Sequence, residues 1–189
     1  DAVDIAMLSA TGTADATTFL RGDNAWAAAG GDNTPAFSAN MTLDPVYQVI
    51  PDGASTKIQF NTEIFDTDNT YDGTTNYRWT PGVLGKYYMY TYIVMERASG
   101  SGIYRSAVYI KKNGTIIASD YFALVIDGSN ATWKYVLKSM AVTDTVTNVA
   151  DYYEVYVWPD TTDGADTHVY AQAPNTGSTS FFGGWKLIT

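Results

Sequence analysis

Lys86-Tyr-Tyr-Met-Tyr-Thr-Tyr-Ile-Val-Met-Glu96 decides how the rest of this sequence reads. With the two-residue period of a strand, one set of side chains is Tyr88, Tyr90, Tyr92 and Val94, and the other is Tyr87, Met89, Thr91, Ile93 and Met95. Neither set is polar. A strand with one wet face alternates apolar with polar residues, so this one requires cover twice, once from its own domain and once from something else. With no helical partner sequence nearby, another copy of the chain is the expected second cover. Residues 152–158 repeat the pattern, with Tyr153, Val155 and Val157 on one face and Tyr152, Glu154, Tyr156 and Trp158 on the other.

The composition around this stretch is that of strands and turns. Aromatic residues make up 14% of 189 residues, fifteen of them tyrosine, alongside sixteen glycines. That length buries a proper core in one domain. Charged residues are sparse at 16%, and the net charge of −9 repels phosphate backbones and anionic lipid. The eleven Lys and Arg are scattered, so nucleic acid is not an expected partner. Without cysteine, disulfides, thiolate metal sites and cysteine nucleophiles are excluded together. No apolar run is long enough to span a bilayer as a helix, and membrane insertion is not expected.

Residues 1–34 read as a stalk or linker, since their Ala, Thr, Gly and Asp bury too little area to offset an ordering cost of ~1–2 kcal/mol per residue. Within them Phe19 and Trp26 flank a Gly-Asp-Asn turn, which suits a short hairpin or a contact with neighbouring chains. Residues 35–189 read as one all-β domain. Strands are predicted at 36–41, 46–49, 56–64, 76–80, 87–97, 104–111, 115–122, 132–142, 152–158, 169–173 and 180–188, separated by Gly-, Asp- and Pro-containing turns. Lys112-Asn-Gly-Thr115 is the sharpest local signal, because Asn-Gly meets the positive-φ demand of a type I′ hairpin. About ten short strands without a convincing helix point to a sandwich or jelly roll.

Two stretches carry family resemblances. Ala36-Phe-Ser-Ala39, Ile58-Gln-Phe-Asn61, Tyr71-Asp72, Trp79-Thr-Pro81, Gly85-Lys-Tyr-Tyr-Met-Tyr90, Ile110-Lys-Lys-Asn-Gly114 and Phe182-Gly-Gly-Trp-Lys-Leu187 occur in the order found in the globular head of the complement first-component q subunit. Residues 35–189 thus resemble that head, within the jelly-roll superfamily shared with tumour necrosis factor. The sequence departs from the pattern at Trp185 and across Asp144 to Asp151, where the usual Gly-Asp turn is missing. Thr17-Thr-Phe-Leu-Arg-Gly-Asp-Asn-Ala-Trp26 resembles an element of bacteriophage tail fibres and related virion appendages. Together these resemblances imply a ten-stranded jelly-roll knob on a fibre, spike or decoration protein of a phage, assembled as a homotrimer. They also imply a virion location, contacts with other virion proteins through the N-terminal segment, and host attachment through a surface glycan or protein.

The trimer has independent support, since Tyr88, Tyr90 and Tyr92 would form a sticky patch on a monomer. Tyr88, Tyr90, Tyr92, Tyr152, Tyr156 and Trp158 are therefore the expected interface residues.

Other motifs favour plainer readings. Arg21-Gly-Asp23 matches an integrin-binding tripeptide, but its aromatic flanks fit a structural turn. EF-hand spacing fails from Asp66, where Tyr71 takes the Gly position, and from Asp68, where Trp79 replaces the bidentate Glu. No cofactor is expected. Calcium in a cage of Asp66, Asp68 and Asp72, or of Asp160, Asp163 and Asp166, is the alternative to solvated turn-forming aspartates. His168 is the single histidine, which leaves zinc sites without a second imidazole and a catalytic triad without a nucleophile elbow nearby. Glu63, Glu96 and Glu154, the only glutamates, read as strand-edge or interface residues rather than a glycosidase pair, so the chain is expected not to be an enzyme. Trp133, Trp158, Tyr170 and Trp185 are the candidates for stacking on sugar rings, with core packing as the plainer role. Three Asn-x-Thr sequons, at Asn40, Asn113 and Asn130, would carry no glycan in a phage protein. A secreted complement-q-like binding module of cellular origin is the alternative function, and a glycan-degrading tail enzyme is a third.

Overall fold

The computed structural model describes residues 11–16, 18–28, 33–42, 46–97, 102–124, 133–171 and 179–188. The sequon at Asn130 lies outside them. Within 1–34, β1 (Thr18–Leu20) and β2 (Trp26–Ala28) form an antiparallel hairpin around the Gly-Asp-Asn turn. Arg21 and Asp23 of the integrin-like tripeptide pair with each other at 3.2 Å across that turn, both exposed.

The remaining strands build two sheets. The first contains β3 (Ala36–Asn40), β4 (Tyr47–Ile50), β6 (Thr62–Asp66), β9 (Gly85–Glu96), β12 (Tyr135–Val146), β14 (Thr167–Tyr170) and β15 (Phe181–Lys186). The second contains β5 (Thr56–Lys57), β7 (Tyr71–Asp72), β8 (Arg78–Trp79), β10 (Ile103–Lys112), β11 (Thr115–Ala123) and β13 (Tyr153–Thr161). The described residues thus form sheets of seven and six strands where the sequence predicts about ten in all.

β9 is the centre of the first sheet. Along one edge it pairs with β12 over its whole length, from Gly85↔Val146 to Glu96↔Tyr135. Its other edge is shared: β15 covers Tyr87 to Tyr92, and β14 covers Met95 and Glu96. The gap leaves the Val94 amide without a strand partner, and the buried Ser180 hydroxyl accepts it at 3.0 Å. Tyr87, Met89, Ile93 and Met95 point between the sheets and are fully buried.

The core they join is aromatic. Phe37 stacks on Tyr71 at 4.8 Å, and Trp79 lies 5.3 Å edge-on from Tyr87. Gly184 is required beneath that tryptophan: a Cβ there would come within 2.8 Å of Trp79 Cζ3 and 2.9 Å of the Tyr88 carbonyl oxygen.

Several predicted strands differ from those observed: 152–158 runs on to Thr161, and 169–173 is replaced by Thr167–Tyr170 with residues 172–173 outside the described ones. Residues 56–64 divide into β5 on the second sheet and β6 on the first, because the chain crosses between sheets there. At the crossing Ile58 and Phe60 drop into the core, and Gln48 Oε1 accepts the Gln59 amide. Residues 76–80 contribute only Arg78–Trp79, paired with Tyr71–Asp72, a strand too short to carry a periodic signal. β12 runs on to Val146, beyond the predicted end at 142. The following turn is held by Asp151, whose Oδ2 accepts the amides of Thr147 (3.0 Å) and Asn148 (3.1 Å). This aspartate-tied turn occupies the place of the missing Gly-Asp turn. The Asn113-Gly114 hairpin is as predicted, with φ of 51° and 81°.

Candidate functional site

The outward face of the first sheet is the most distinctive surface of the chain. Strand alternation puts Tyr88, Tyr90, Tyr92 and Val94 on it from β9, and Phe181, Gly183 and Trp185 from β15. Their rings pack into one ridge. Tyr88 lies 4.7 Å from Trp185, Tyr90 lies 5.6 Å from Trp185 and 5.7 Å from Phe181, and Tyr92 stacks on Phe181 at 5.7 Å. The three tyrosines keep part of their surface exposed.

Small residues flank it. On β12 the outward positions opposite Tyr92, Tyr90 and Tyr88 are Ser139, Ala141 and Thr143. Low side chains beside tall ones leave a shallow groove of ≈ 270 Å³ lined by Tyr88, Tyr90, Tyr92, Ser139, Ala141 and Phe181. On the far side, β3 presents Ala36, Ser38 and Asn40. None of these outward residues is charged, in a chain of net charge −9. The charged outward residues of β9 stand at its two ends, Lys86 and Glu96.

The Glu96 end of the face is more polar. Tyr170 and Val94 are buried there, with Tyr47 and Tyr92 packed against them. His168 stacks on Tyr47 at 3.9 Å and pairs with Glu96 across the ladder. Burial pushes the His168 pKa below that of a free imidazole, with Arg97 adding to the shift while Glu96 and Asp166 oppose it. Burial raises the Tyr170 phenol to about 12, and the neighbouring Glu96 carboxylate adds to this.

The six interface residues expected from the sequence do not share one surface. Tyr88, Tyr90 and Tyr92 form the ridge. Tyr152, Tyr156 and Trp158 lie on or beside β13, on the outer side of the opposite sheet. Those three rings already have cover from their own chain. The Arg78 guanidinium sits 4.4 Å from the Tyr152 ring centre, Lys111 Nζ 3.7 Å from Tyr156, and Arg105 5.8 Å from Trp158. Trp158 Nε1 also donates to the Gly53 carbonyl at 2.8 Å. Phe181 and Trp185 complete the ridge, which the sequence reading missed. Their alternation with Phe182 and Gly184 was visible, but the strand pairing that seats them beside β9 was not.

The remaining candidates are accounted for individually. Glu154 is buried against Lys57 (2.9 Å) on the second sheet, Glu96 ends β9 on the first, and Glu63 is exposed on β6. Asp66 accepts the Tyr71 amide at 2.7 Å, and Asp72 accepts those of Thr75 (2.8 Å) and Asn76 (3.1 Å). These turn amides, led by Thr75, hold the Asp72 carboxyl well below the ordinary range. Asp160 is bound by Arg105 and the Tyr104 hydroxyl, and Asp163 by Arg97. Among the described residues no group of three or more His, Asp or Glu is arranged to hold a metal ion. Of the sugar-stacking candidates, Tyr170 is buried, Trp185 is in the ridge, and Trp133 is 56% exposed.

No family model matches the chain, and no curated protein matches it in sequence. Solved structures do resemble it in shape. Eiger TNF from S. frugiperda aligns at a TM-score of 0.55 with 11% identity, covering 82% of this chain and 94% of that one. Murine APRIL at pH 8.0 aligns at 0.53 with 10% identity, covering 80% and 98%. The globular domain of zebrafish complement 1qA aligns at 0.48 with 15% identity, covering 82% and 98%. None of the three points to a bacteriophage. At these identities the likeness is one of fold, and the fold of this chain is a tumour-necrosis-factor-like jelly roll.

Proposed function

We propose that this chain is a non-catalytic module that assembles as a homotrimer through the outward face of its first sheet, and that the trimer is a knob for attachment. The uncharged ridge of Tyr88, Tyr90, Tyr92, Phe181 and Trp185, left partly open in one chain, carries this reading. Covering the part of these rings that one chain leaves open, at ~25 cal/mol per Å², contributes several kcal/mol per copy towards the cost of association. A three-fold ring closes by a heterologous contact, so the ridge meets a different patch of the next copy. Exposed Leu137 on β12 and exposed Trp133, two residues before that strand, are the apolar side chains suited to that patch.

The particle that displays the knob is inferred from the Thr17–Trp26 element: a phage tail fibre, spike or decoration protein at the virion surface, contacting host glycan or protein, or neighbouring virion proteins. The fold serves a secreted binding module of cellular origin equally well. Fibre repeats encoded upstream favour the virion, and a signal peptide with collagen repeats favours the secreted module.

Sedimentation equilibrium at micromolar concentration tests the assembly, with three times the chain mass expected. A soluble single subunit at that concentration overturns it. Antibody labelling of phage particles tests the location.

A further inference from the structure

We propose that Asn113 is a deamidation site held in check by the fold, and that its conversion to aspartate or isoaspartate releases the β10–β11 hairpin from the turn after β12. The inference concerns a single chain and stands apart from the assembly reading.

Asn113-Gly114 is the one Asn-Gly pair in the sequence. Such a pair is a reactive context for asparagine, because glycine has no Cβ to shield its amide nitrogen from the preceding side chain. In the reaction the Gly114 nitrogen attacks Asn113 Cγ. That nitrogen gives up its proton, the Cγ–Nδ2 bond breaks, ammonia leaves and a cyclic succinimide closes. Water then opens the ring. Cleavage of the bond to Cγ leaves aspartate in a normal backbone, and cleavage at the main-chain carbonyl carbon leaves isoaspartate, with the backbone routed through Cγ.

Nothing steric protects this turn. Asn113 and Gly114 are exposed, and a Cβ built on Gly114 meets no atom within 4 Å. What restrains Asn113 is its bonding to residues 151 and 152. Its backbone amide donates to the Tyr152 carbonyl at 3.0 Å, its Oδ1 accepts the Tyr152 amide at 2.9 Å, and its Nδ2 donates to the Asp151 carboxylate at 2.8 Å. Both polar atoms of the carboxamide are therefore tied. Swinging Cγ onto the Gly114 nitrogen and expelling Nδ2 breaks both of these side-chain bonds. Asp151 cannot follow the side chain, because the Thr147 and Asn148 amides and Lys112 Nζ hold it in place.

The product cannot remake the bonds. Aspartate at this position puts a carboxylate oxygen where Nδ2 donated, against the Asp151 carboxylate. Lys112, already shared between Asp151 and Asp144, is then left to offset three carboxylates. Isoaspartate adds a carbon to the backbone of a two-residue turn, which the Lys112↔Thr115 pairing does not accommodate. The change runs one way, since hydrolysis does not restore the amide.

The test follows residue 113 by peptide mass spectrometry while the chain is held in mildly alkaline buffer, folded or in urea above its unfolding midpoint. Conversion is expected at least about tenfold faster in urea, because the two restraining bonds are then open. Folded Asp151→Ala is expected to convert several-fold faster than the folded parent. Equal rates for the folded and unfolded parent overturn the proposal, as does an unfolded chain that leaves residue 113 intact. Folded Asp151→Ala converting no faster than the parent also overturns it. A second pair of variants needs no deamidation and covers the case in which Asp151→Ala does not fold. Asn113→Asp is expected to lower the urea midpoint at neutral pH. Adding Asp151→Asn to it is expected to recover part of the loss, by exchanging donor and acceptor across the same contact. A midpoint unchanged by Asn113→Asp, or no recovery in the exchanged pair, excludes the restraint.

Discussion

Gly183 lies directly beneath the Tyr90 hydroxyl, so close that a Cβ on residue 183 would come within 2.5 Å of that oxygen. Its neighbour Gly184 faces the other way and receives Trp79. The two adjacent glycines thus serve the two faces of β15, one shaping the ridge and the other the core.

Gly183→Ala is therefore expected to push the Tyr90 ring aside, at a stability cost within about 1 kcal/mol because the clash is with the mobile end of a side chain. Assembly is expected to weaken several-fold. Gly184→Ala meets a buried ring and backbone instead, and is expected to cost about 1–3 kcal/mol in denaturant unfolding with the unfolding slope unchanged. Equal costs for the two variants would contradict this division.

Ala141→Arg, which places a charge in the groove beside Tyr90, is expected to convert the assembly to single subunits while leaving the far-UV circular dichroism spectrum intact. Tyr156→Ser on the opposite sheet is expected to leave assembly unaffected, because Lys111 already covers that ring. Light scattering of both variants checks the pair.

Asp151 ties the end of β12 to the β10–β11 hairpin. Asn113 Nδ2 donates to it at 2.8 Å, and Lys112 Nζ lies 3.1 Å from it and 3.0 Å from Asp144. The Asn113 bond, the amides of Asn148 and Thr147, and then Lys112 hold the Asp151 carboxyl far below the ordinary range. Because its folded pKa is lowered, this stabilisation is full above the unfolded value of about 4 and is lost as pH falls through the folded value. Asp151→Ala is expected to cost about 3 kcal/mol at neutral pH, by leaving the Asn113 amide and the backbone amides of Thr147 and Asn148 without their acceptor, while Lys112 keeps Asp144. It is also expected to flatten the acid limb of a urea-midpoint titration. An acid limb identical to the parent's would exclude this role.

His168 has a lowered folded pKa, so its contribution is full above the unfolded value of about 6.5 and declines as pH falls below it. Replacement by Phe, which keeps a ring against Tyr47, is expected to remove the decline in melting temperature between about pH 6.5 and 5. A decline that persists in that variant would place the titrating group elsewhere.

The alternation of Tyr88, Tyr90 and Tyr92 with Tyr87, Met89 and Met95 was legible because a strand's two faces follow directly from its residue order. The Asn113-Gly114 turn was legible because it depends on two consecutive φ angles. Residues 56–64 misled, since a strand that changes sheets keeps its composition while losing its ladder. Tyr152, Tyr156 and Trp158 were not legible as covered for a different reason: the cations over them come from β8 (Arg78 over Tyr152) and β10 (Lys111 over Tyr156, Arg105 over Trp158), many positions away.

Residue order alone therefore determined that this chain is all-β, where its main hairpin turns, and that its central strand is apolar on both sides. These properties depend on neighbours one or two positions apart. Tertiary structure decided which apolar face stays open. That outcome depends on Phe181 and Trp185 arriving beside β9, on small residues arriving opposite, and on Arg78, Lys111 and Arg105 reaching the other sheet. Long-range strand pairing alone brings such residues together.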